Sequence, residues 1–129
     1  MSTFAEEGLK EIEELSSSSG YSFRTTVQEL EKESLTNEAR EKTRARATDL
    51  EAQMLAIYQL AAMKAKKADD AFQIREIWTR PLALYEKAYQ ELSAVISRGN
   101  TNPDLAHLLE VIQKLRDQVR WIYELHADH

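Results

Sequence analysis

Residues 54–63 read MLAIYQLAAM, a run of ten residues in which Gln59 is the single polar member. As a helix this run is about 15 Å long at 1.5 Å per residue, half the thickness of a bilayer core, so it is too short to span a membrane. Charged residues enclose it, with Glu51 before it and Lys64 after it. A helix that is apolar on nearly all sides is typical of the centre of a bundle. We therefore predict that the other helices pack around this one.

The composition is that of a folded helical protein. Of the 129 residues 43% are hydrophobic and 30% are charged, and only three Gly and two Pro interrupt the many strong helix formers. No segment shows the alternation of apolar and polar residues that is typical of a β-strand. A chain of this length is long enough to bury one core. We predict a single all-α domain folded as an antiparallel helical bundle, with three main helices and an N-terminal helical arm or fourth helix.

Two absences in the sequence bound the function. The chain contains no Cys, which excludes disulfides, thiolate catalysis and cysteine-type zinc sites. Residues 1–7 have neither the basic region nor the apolar core of a signal peptide, so we expect a cytoplasmic protein without a membrane span.

The formal net charge is −5, and five Glu and one Lys place −4 of it in residues 1–15. The rest of the chain is near neutral, which argues against nucleic acid as a partner.

Capping signals suggest where the main helices begin and end. Thr48 and Glu51 have the spacing of a capping box, and apolar residues then recur at helical spacing as far as Trp78. Pro81 favours a break near Thr79–Arg80, although Asp70 and Gln73 are also spaced like a cap. We predict main helices near 48–78, 82–98 and 103–126.

The last helix has the clearest boundaries. Asn102 is a good N-cap, Pro103 suits the first helical position, and Asp104 in the first turn complements the helix dipole. Gly99 supplies the turn that ends the preceding helix. The short link between them predicts that the two helices are antiparallel.

The N-terminal region is predicted to be an arm. Residues 1–20 combine an acidic amphipathic helix with the run Ser16–Gly20, which we interpret as a flexible joint. Residues 21–129 then form the bundle. We expect the acidic arm to dock against the basic residues 64–67, and the bundle to fold without it.

The central helix carries apolar residues on two opposite faces. Ile57 belongs to one apolar stripe and Leu60 to the other. Two stripes indicate two packing partners. We therefore predict that Ile57 and Leu60 are both buried.

Arg120 and His126 are separated by five residues, a spacing that resembles the Arg-x4–6-His signature of HEPN ribonucleases. The resemblance implies a four-helix fold in which these two side chains cleave RNA. Residues six apart in a straight helix point about 120° away from each other. Cooperation between Arg120 and His126 therefore requires the helix to end nearby or a second subunit to contribute.

Phosphotransfer and metal binding are two further roles that histidine can have in a helical bundle. His107 lies opposite the leucines of the last helix and resembles the exposed histidine of phosphotransfer domains, but Glu110 and Val111 stand where that family has Lys and Gly. We interpret His107 as a surface residue. No Glu lies three residues before a His, as the di-iron bundles require, so we expect no metal and no cofactor.

Basic residues cluster at 40–46 and 64–67, which suggests a nucleic-acid-binding regulator as a third interpretation. Acidic residues interleave with the first cluster and leave residues 36–49 at +1, and no aromatic side chain lies between the basic ones to stack on bases. A solvated helix face explains the pattern better.

The function we favour is a non-catalytic protein–protein interaction module, such as an adaptor, a small chaperone or an assembly subunit. Its predicted surface is the outer face of the last helix, formed by Val111, Gln118, Trp121 and Leu125. Tryptophan is enriched at interface hot spots. We expect a protein partner or a second copy of the chain, forming a homo-oligomer. The alternatives are the ribonuclease that uses Arg120 and His126, and the nucleic-acid-binding regulator.

Overall fold

The computed structural model describes residues 4–32, 37–99 and 102–126, and these form four helices. The helices are α1 (Phe4–Lys32), α2 (Asn37–Lys66), α3 (Ala71–Ser97) and α4 (Pro103–Leu125). The described residues contain no strand, and the predicted all-α bundle is confirmed. In this part of the chain no helix is long and apolar enough to cross a membrane.

Helices α2 and α3 form a central antiparallel pair, flanked by α1 on one side and α4 on the other. Each flanking helix packs on both central helices, and the described residues of α1 and α4 do not contact each other. Ion pairs fix the directions: Lys64 near the end of α2 lies 3.5 Å from Glu11 of α1, and Arg46 near its start lies 3.2 Å from Glu29. The contacts Tyr58–Trp78 and Met54–Tyr85 make α2 and α3 antiparallel, and the contacts Glu86–Arg120 and Tyr89–Arg116 do the same for α3 and α4. Consecutive helices are thus antiparallel, so α1 runs parallel to α3, and α2 to α4.

All four helices contribute buried residues to one core, and the central pair lies in its middle. The Trp78 ring is 2% exposed and lies 5.1 Å, between centroids, from the ring of Tyr58. The buried Tyr85 hydroxyl donates a 2.7 Å hydrogen bond to the carbonyl oxygen of Met54 and so links α3 to α2. Removal from water raises the pKa of Tyr85, which keeps this phenol protonated as a donor.

The predicted boundaries of the central helix are wrong at both ends. Helix α2 begins at Asn37 rather than near residue 48, and Thr48 lies inside it. The Thr48 hydroxyl donates to the carbonyl oxygen of Arg44 at 2.9 Å, which is how Thr is accommodated within a helix, so it caps nothing. The interleaved charges before residue 48 therefore belong to the solvated first turns of a single long helix.

The break between α2 and α3 lies at Asp69–Asp70, not at Thr79–Arg80. Asp70 is the N-cap of α3: its carboxylate accepts from the Gln73 backbone N–H at 2.9 Å. The Gln73 side chain in turn accepts from the Asp69 N–H at 2.7 Å. Two backbone donors are thus satisfied reciprocally, as in a capping box. Pro81 lies inside α3 and is buried. Proline has no backbone N–H, so the helix lacks one hydrogen bond at this position, and the burial of the proline ring offsets that loss.

We expect Asp70→Ala to lower the free energy of unfolding by about 1 kcal/mol, because it leaves the Gln73 N–H without its acceptor. Asp69→Ala is the matched control, since Asp69 contributes its backbone N–H to the cap. Its effect should stay within about 0.5 kcal/mol. Chemical denaturation measures both variants, and equal losses would show that the carboxylate of Asp70 does not carry the cap.

The predicted joint at Ser16–Gly20 is not present, because α1 runs through it without interruption. Ser16 and Ser19 are 6% and 3% exposed, and they continue the buried stripe that contains Ile12, Phe23 and Val27. A side chain on Gly20 would begin 3.2 Å from a methyl carbon of Leu84 in α3. The small residues therefore let α1 approach the central pair closely, and this packing outweighs the modest helix propensity of serine.

The arm that was expected to be separable is thus the fourth helix of the bundle. Its predicted docking against the basic residues 64–67 is confirmed for Lys64, which pairs with Glu11. Because Ile12 is buried, we now expect that residues 21–129 do not fold without residues 1–20, the opposite of the prediction from the sequence.

Of the two predicted stripes on α2, the one that contains Ile57 is buried over most of its length. Ile57 is 1% exposed, together with its neighbours on the same face, Leu50, Met54 and Ala61. Leu60 is half-buried one turn before Lys64, which pairs with Glu11 of α1, and Met63 is 49% exposed. The prediction that Leu60 is buried like Ile57 is therefore wrong, because α1 covers only part of that second face.

The predicted boundaries of α4 are confirmed to within a residue. The side chain of Asn102 accepts from the Asp104 N–H at 2.8 Å, and Pro103 occupies the first turn. Gly99 has φ of 103°, a left-handed conformation that favours glycine at the end of α3.

Candidate functional site

The residues predicted to form an interaction surface lie on the flank of α4 that faces α2. Trp121 is 65% exposed and Leu125 51% exposed. Gln118 is exposed, whereas Val111 is half-buried against the core. The bundle therefore leaves the two largest apolar side chains of this set in water.

An open groove lies beside Trp121. It has a volume of about 400 Å³ and is lined by Tyr58 of α2 and by Asp117, Gln118, Trp121 and Ile122 of α4. Tyr58 packs against the buried Trp78 and so presents a fixed aromatic wall to the groove. Leu55, one turn before Tyr58 on α2, is 40% exposed. The surface is thus built by two parallel helices, with an aromatic or aliphatic side chain from each.

The contribution of α2 to this surface was not predicted from the sequence. Tyr58 follows the buried Ile57 on α2 and is half-buried, since it lies at the edge of the buried face and lines the groove toward α4. The pairing of Tyr58 with residues 117–122 is a long-range contact, for which helical periodicity gives no signal.

Charged side chains on the other flank of α4 tie it to α3. The guanidinium of Arg116 lies 4.2 Å from the centroid of the Tyr89 ring and also pairs with Asp117 at 3.1 Å. Arg120 donates a 2.7 Å hydrogen bond to Glu86. This hydrogen bond is the main cause that raises the pKa of Arg120. These contacts hold α4 against α3 and leave its opposite flank, with Trp121, uncovered.

Arg120 and His126, the pair that resembles the HEPN signature, take different partners. Arg120 points to Glu86 of α3. The His126 Nδ1 lies 2.8 Å from the carbonyl oxygen of Ile122, and since a carbonyl oxygen only accepts, this nitrogen carries a proton. His126 thus closes the end of its own helix, and Arg120 serves a contact between helices. Each side chain has a structural role within one chain.

His107, interpreted as a surface residue, bridges two helices. It is 65% exposed, and its Nε2 lies 3.1 Å from a carboxylate oxygen of Glu51 in α2. The contact lies at the far end of the α2–α4 seam from Trp121. Among the described residues no group of three His, Asp or Glu side chains could hold a metal ion.

The basic clusters at 40–46 and 64–67 do not form one surface. Arg44 faces α4, where its Nε lies 3.8 Å from Asp104, whereas Arg46 faces α1 and pairs with Glu29 at 3.2 Å. Lys64 is also paired, with Glu11. The side chain of Arg40 lies outside the described set. Positive charges that alternate between two seams and meet carboxylates there do not make a phosphate-binding stripe.

Comparisons with known proteins add no relative: no protein-family model, no curated protein and no solved structure matches this chain.

Proposed function

We propose that this protein is a non-catalytic interaction module, an assembly subunit whose binding surface is the groove between α2 and α4. The observation that carries the proposal is Trp121, 65% exposed beside an open groove with an aromatic wall. Single exposed apolar residues are common on protein surfaces. Here exposed apolar side chains continue beyond the groove, with Leu125 one turn after Trp121 on α4 and Leu55 one turn before Tyr58 on α2. An exposed aromatic side chain beside a pocket is typical of an interface hot spot.

The first partner to consider is a second copy of the chain. Val111, Gln118 and Leu125 are seven residues apart and therefore share one stripe of α4. In a two-fold dimer with antiparallel α4 helices, residues equally far from the axis meet. With the axis at Gln118, Val111 of one copy meets Leu125 of the other, so the stripe is complementary to itself.

Trp121→Glu is expected to reduce the apparent mass in sedimentation equilibrium from twice the chain mass of 14.9 kDa to that of one chain. The carboxylate would have to be desolvated in the interface, which is costly without a partner charge. The variant should keep its helical circular dichroism and a cooperative thermal transition, because Trp121 is outside the core.

The matched control is Gln90→Glu, which adds the same charge at an exposed position of α3. It should leave the apparent mass unchanged. A Trp121→Glu variant that unfolds would place Trp121 in the structural core, and an intact chain that sediments as a monomer at all concentrations would refute self-association.

A further inference from the structure

A second cleft lies on the opposite side of the molecule, between the parallel helices α1 and α3. Its volume is about 330 Å³, within the size range of small-molecule sites. Small residues open it: Ser17 and Gly20 on α1, and Ala83 on α3. The same serine run that lets α1 approach the central pair thus leaves room for a ligand at the surface.

Three cationic side chains line this cleft: Arg24 from α1, and Arg80 and Lys87 from α3. No carboxylate lines the cleft itself. Two lie nearby: Glu13, with an oxygen 3.9 Å from the Nε of Arg80, and Glu91, which lines the adjoining pocket together with Arg24. Both partners of the Glu13–Arg80 pair are more than half exposed, so the contact is weak. The cleft is therefore electropositive although the chain carries a net charge of −5.

Arg24 and Lys87 differ from the cations at other helix seams. Arg46, Lys64 and Arg120 each pair with a carboxylate of a neighbouring helix. Among the side chains that the structure describes, no ion pair joins Arg24 or Lys87 to a carboxylate. Two unpaired cations from different helices therefore face one cavity.

The cleft also has neutral features suited to a ligand. Ser16 lines it and is 6% exposed, and its hydroxyl oxygen has no hydrogen-bond partner among the described residues. At the rim the Tyr21 ring is 69% exposed. A buried hydroxyl without a partner is unusual in a folded protein.

We propose that the α1–α3 cleft binds a small phosphorylated molecule, with its phosphoryl group held by Arg24, Arg80 and Lys87. Guanidinium groups bind phosphoryl oxygens through paired hydrogen bonds, and a dianion matches the charge of several converging cations. This site is separate from the α2–α4 groove and does not depend on the proposed self-association.

Titration of the full-length chain with inorganic phosphate, at ionic strength held constant with chloride, tests the proposal. In amide NMR spectra the signals of Ser17, Gly20 and Ala83 should shift saturably, with a Kd on the order of 1 mM. The double variant Arg24→Gln, Lys87→Gln should weaken binding about 10- to 100-fold, because two charge-assisted hydrogen-bonding groups are lost.

Lys42→Gln is the matched control, since Lys42 is an exposed cation on α2 away from the cleft. It should leave the phosphate affinity within about twofold, as expected for screened surface charges. Ala83→Leu fills the cleft without changing its charge, and we expect this variant to abolish phosphate binding. Shifts that do not saturate, or a double variant with unchanged affinity, would overturn the site.

The kind of phosphorylated molecule is tested with adenosine monophosphate beside inorganic phosphate. Tighter binding of the nucleotide that is lost in Tyr21→Ala would show that a base stacks on the Tyr21 ring. Equal affinities would assign recognition to the phosphoryl group alone. Adenosine without phosphate should not bind, and binding equal to that of the nucleotide would contradict the proposal.

Discussion

Removal of residues 1–20 is expected to abolish the cooperative thermal transition of this protein. The deletion takes away Ile12, which is 1% exposed, and uncovers the faces of α2 and α3 on which α1 packs. The remaining part of α1, residues 21–32, is too short to be a stable helix without its contacts. A domain of this size has a stability of only about 5–15 kcal/mol, so the loss of one flanking half-helix is not tolerated. Circular dichroism during heating measures the transition.

Point variants separate packing from chain length in this experiment. Ile12→Ala should cost about 2–5 kcal/mol, as other buried large-to-small substitutions do. Glu14→Ala, at an exposed position of the same helix, should stay within about 0.5 kcal/mol. A truncated chain that melts cooperatively within a few degrees of the intact protein would restore the division into an arm and a bundle.

Ile57→Ala is expected to cost about 2–5 kcal/mol, because the side chain is 1% exposed at the centre of α2. Leu60→Ala removes the same class of side chain from the same helix, but from the half-buried face toward α1. It should cost at least about 1 kcal/mol less than the Ile57 variant, because less surface returns to water. Urea denaturation gives both values.

Comparison of Ile57 with Leu60 tests the arrangement of the helices. Equal losses would mean that the face of α2 around Leu60 is covered as completely as the face around Ile57. A loss below about 0.5 kcal/mol at Ile57 would contradict the central position of α2 in the bundle.

The fold class and the last helix could be predicted because their signals are local. Asn102, Pro103 and Gly99 act on backbone atoms within a few residues, so their effect does not depend on the rest of the chain. The single buried stripe of α4 is likewise a property of 3.6-residue periodicity. The alternation of apolar and polar residues that marks a strand is also a local signal, and its absence predicted an all-α fold.

The errors lie where tertiary packing outweighs a local preference. Pro81 and the serine run both favour a break in an isolated peptide, and both lie within helices here. Pro81 is buried between its neighbours, and Ser16 and Ser19 fill a close approach between α1 and the central pair. Contacts with distant parts of the chain offset the low helix propensity of these residues, and no local pattern reveals such contacts.

The candidate surface was predictable in part. The exposure of Trp121 and Leu125 follows from their position opposite the core stripe of α4. The wall provided by Tyr58 and the cleft lined by Arg24 and Lys87 join residues about 60 positions apart, and the order of packing of four helices decides them. That order is not encoded in the periodicity of any single helix.

The central claim, that another chain covers Trp121, is tested most directly by the fluorescence of this residue. The chain has two tryptophans, so Trp78→Phe leaves Trp121 as the only reporter. We predict that its emission shifts to longer wavelength on dilution, at the concentration where sedimentation shows the mass falling to one chain. Emission typical of a solvated indole at every concentration, with a monomeric mass throughout, would contradict the account.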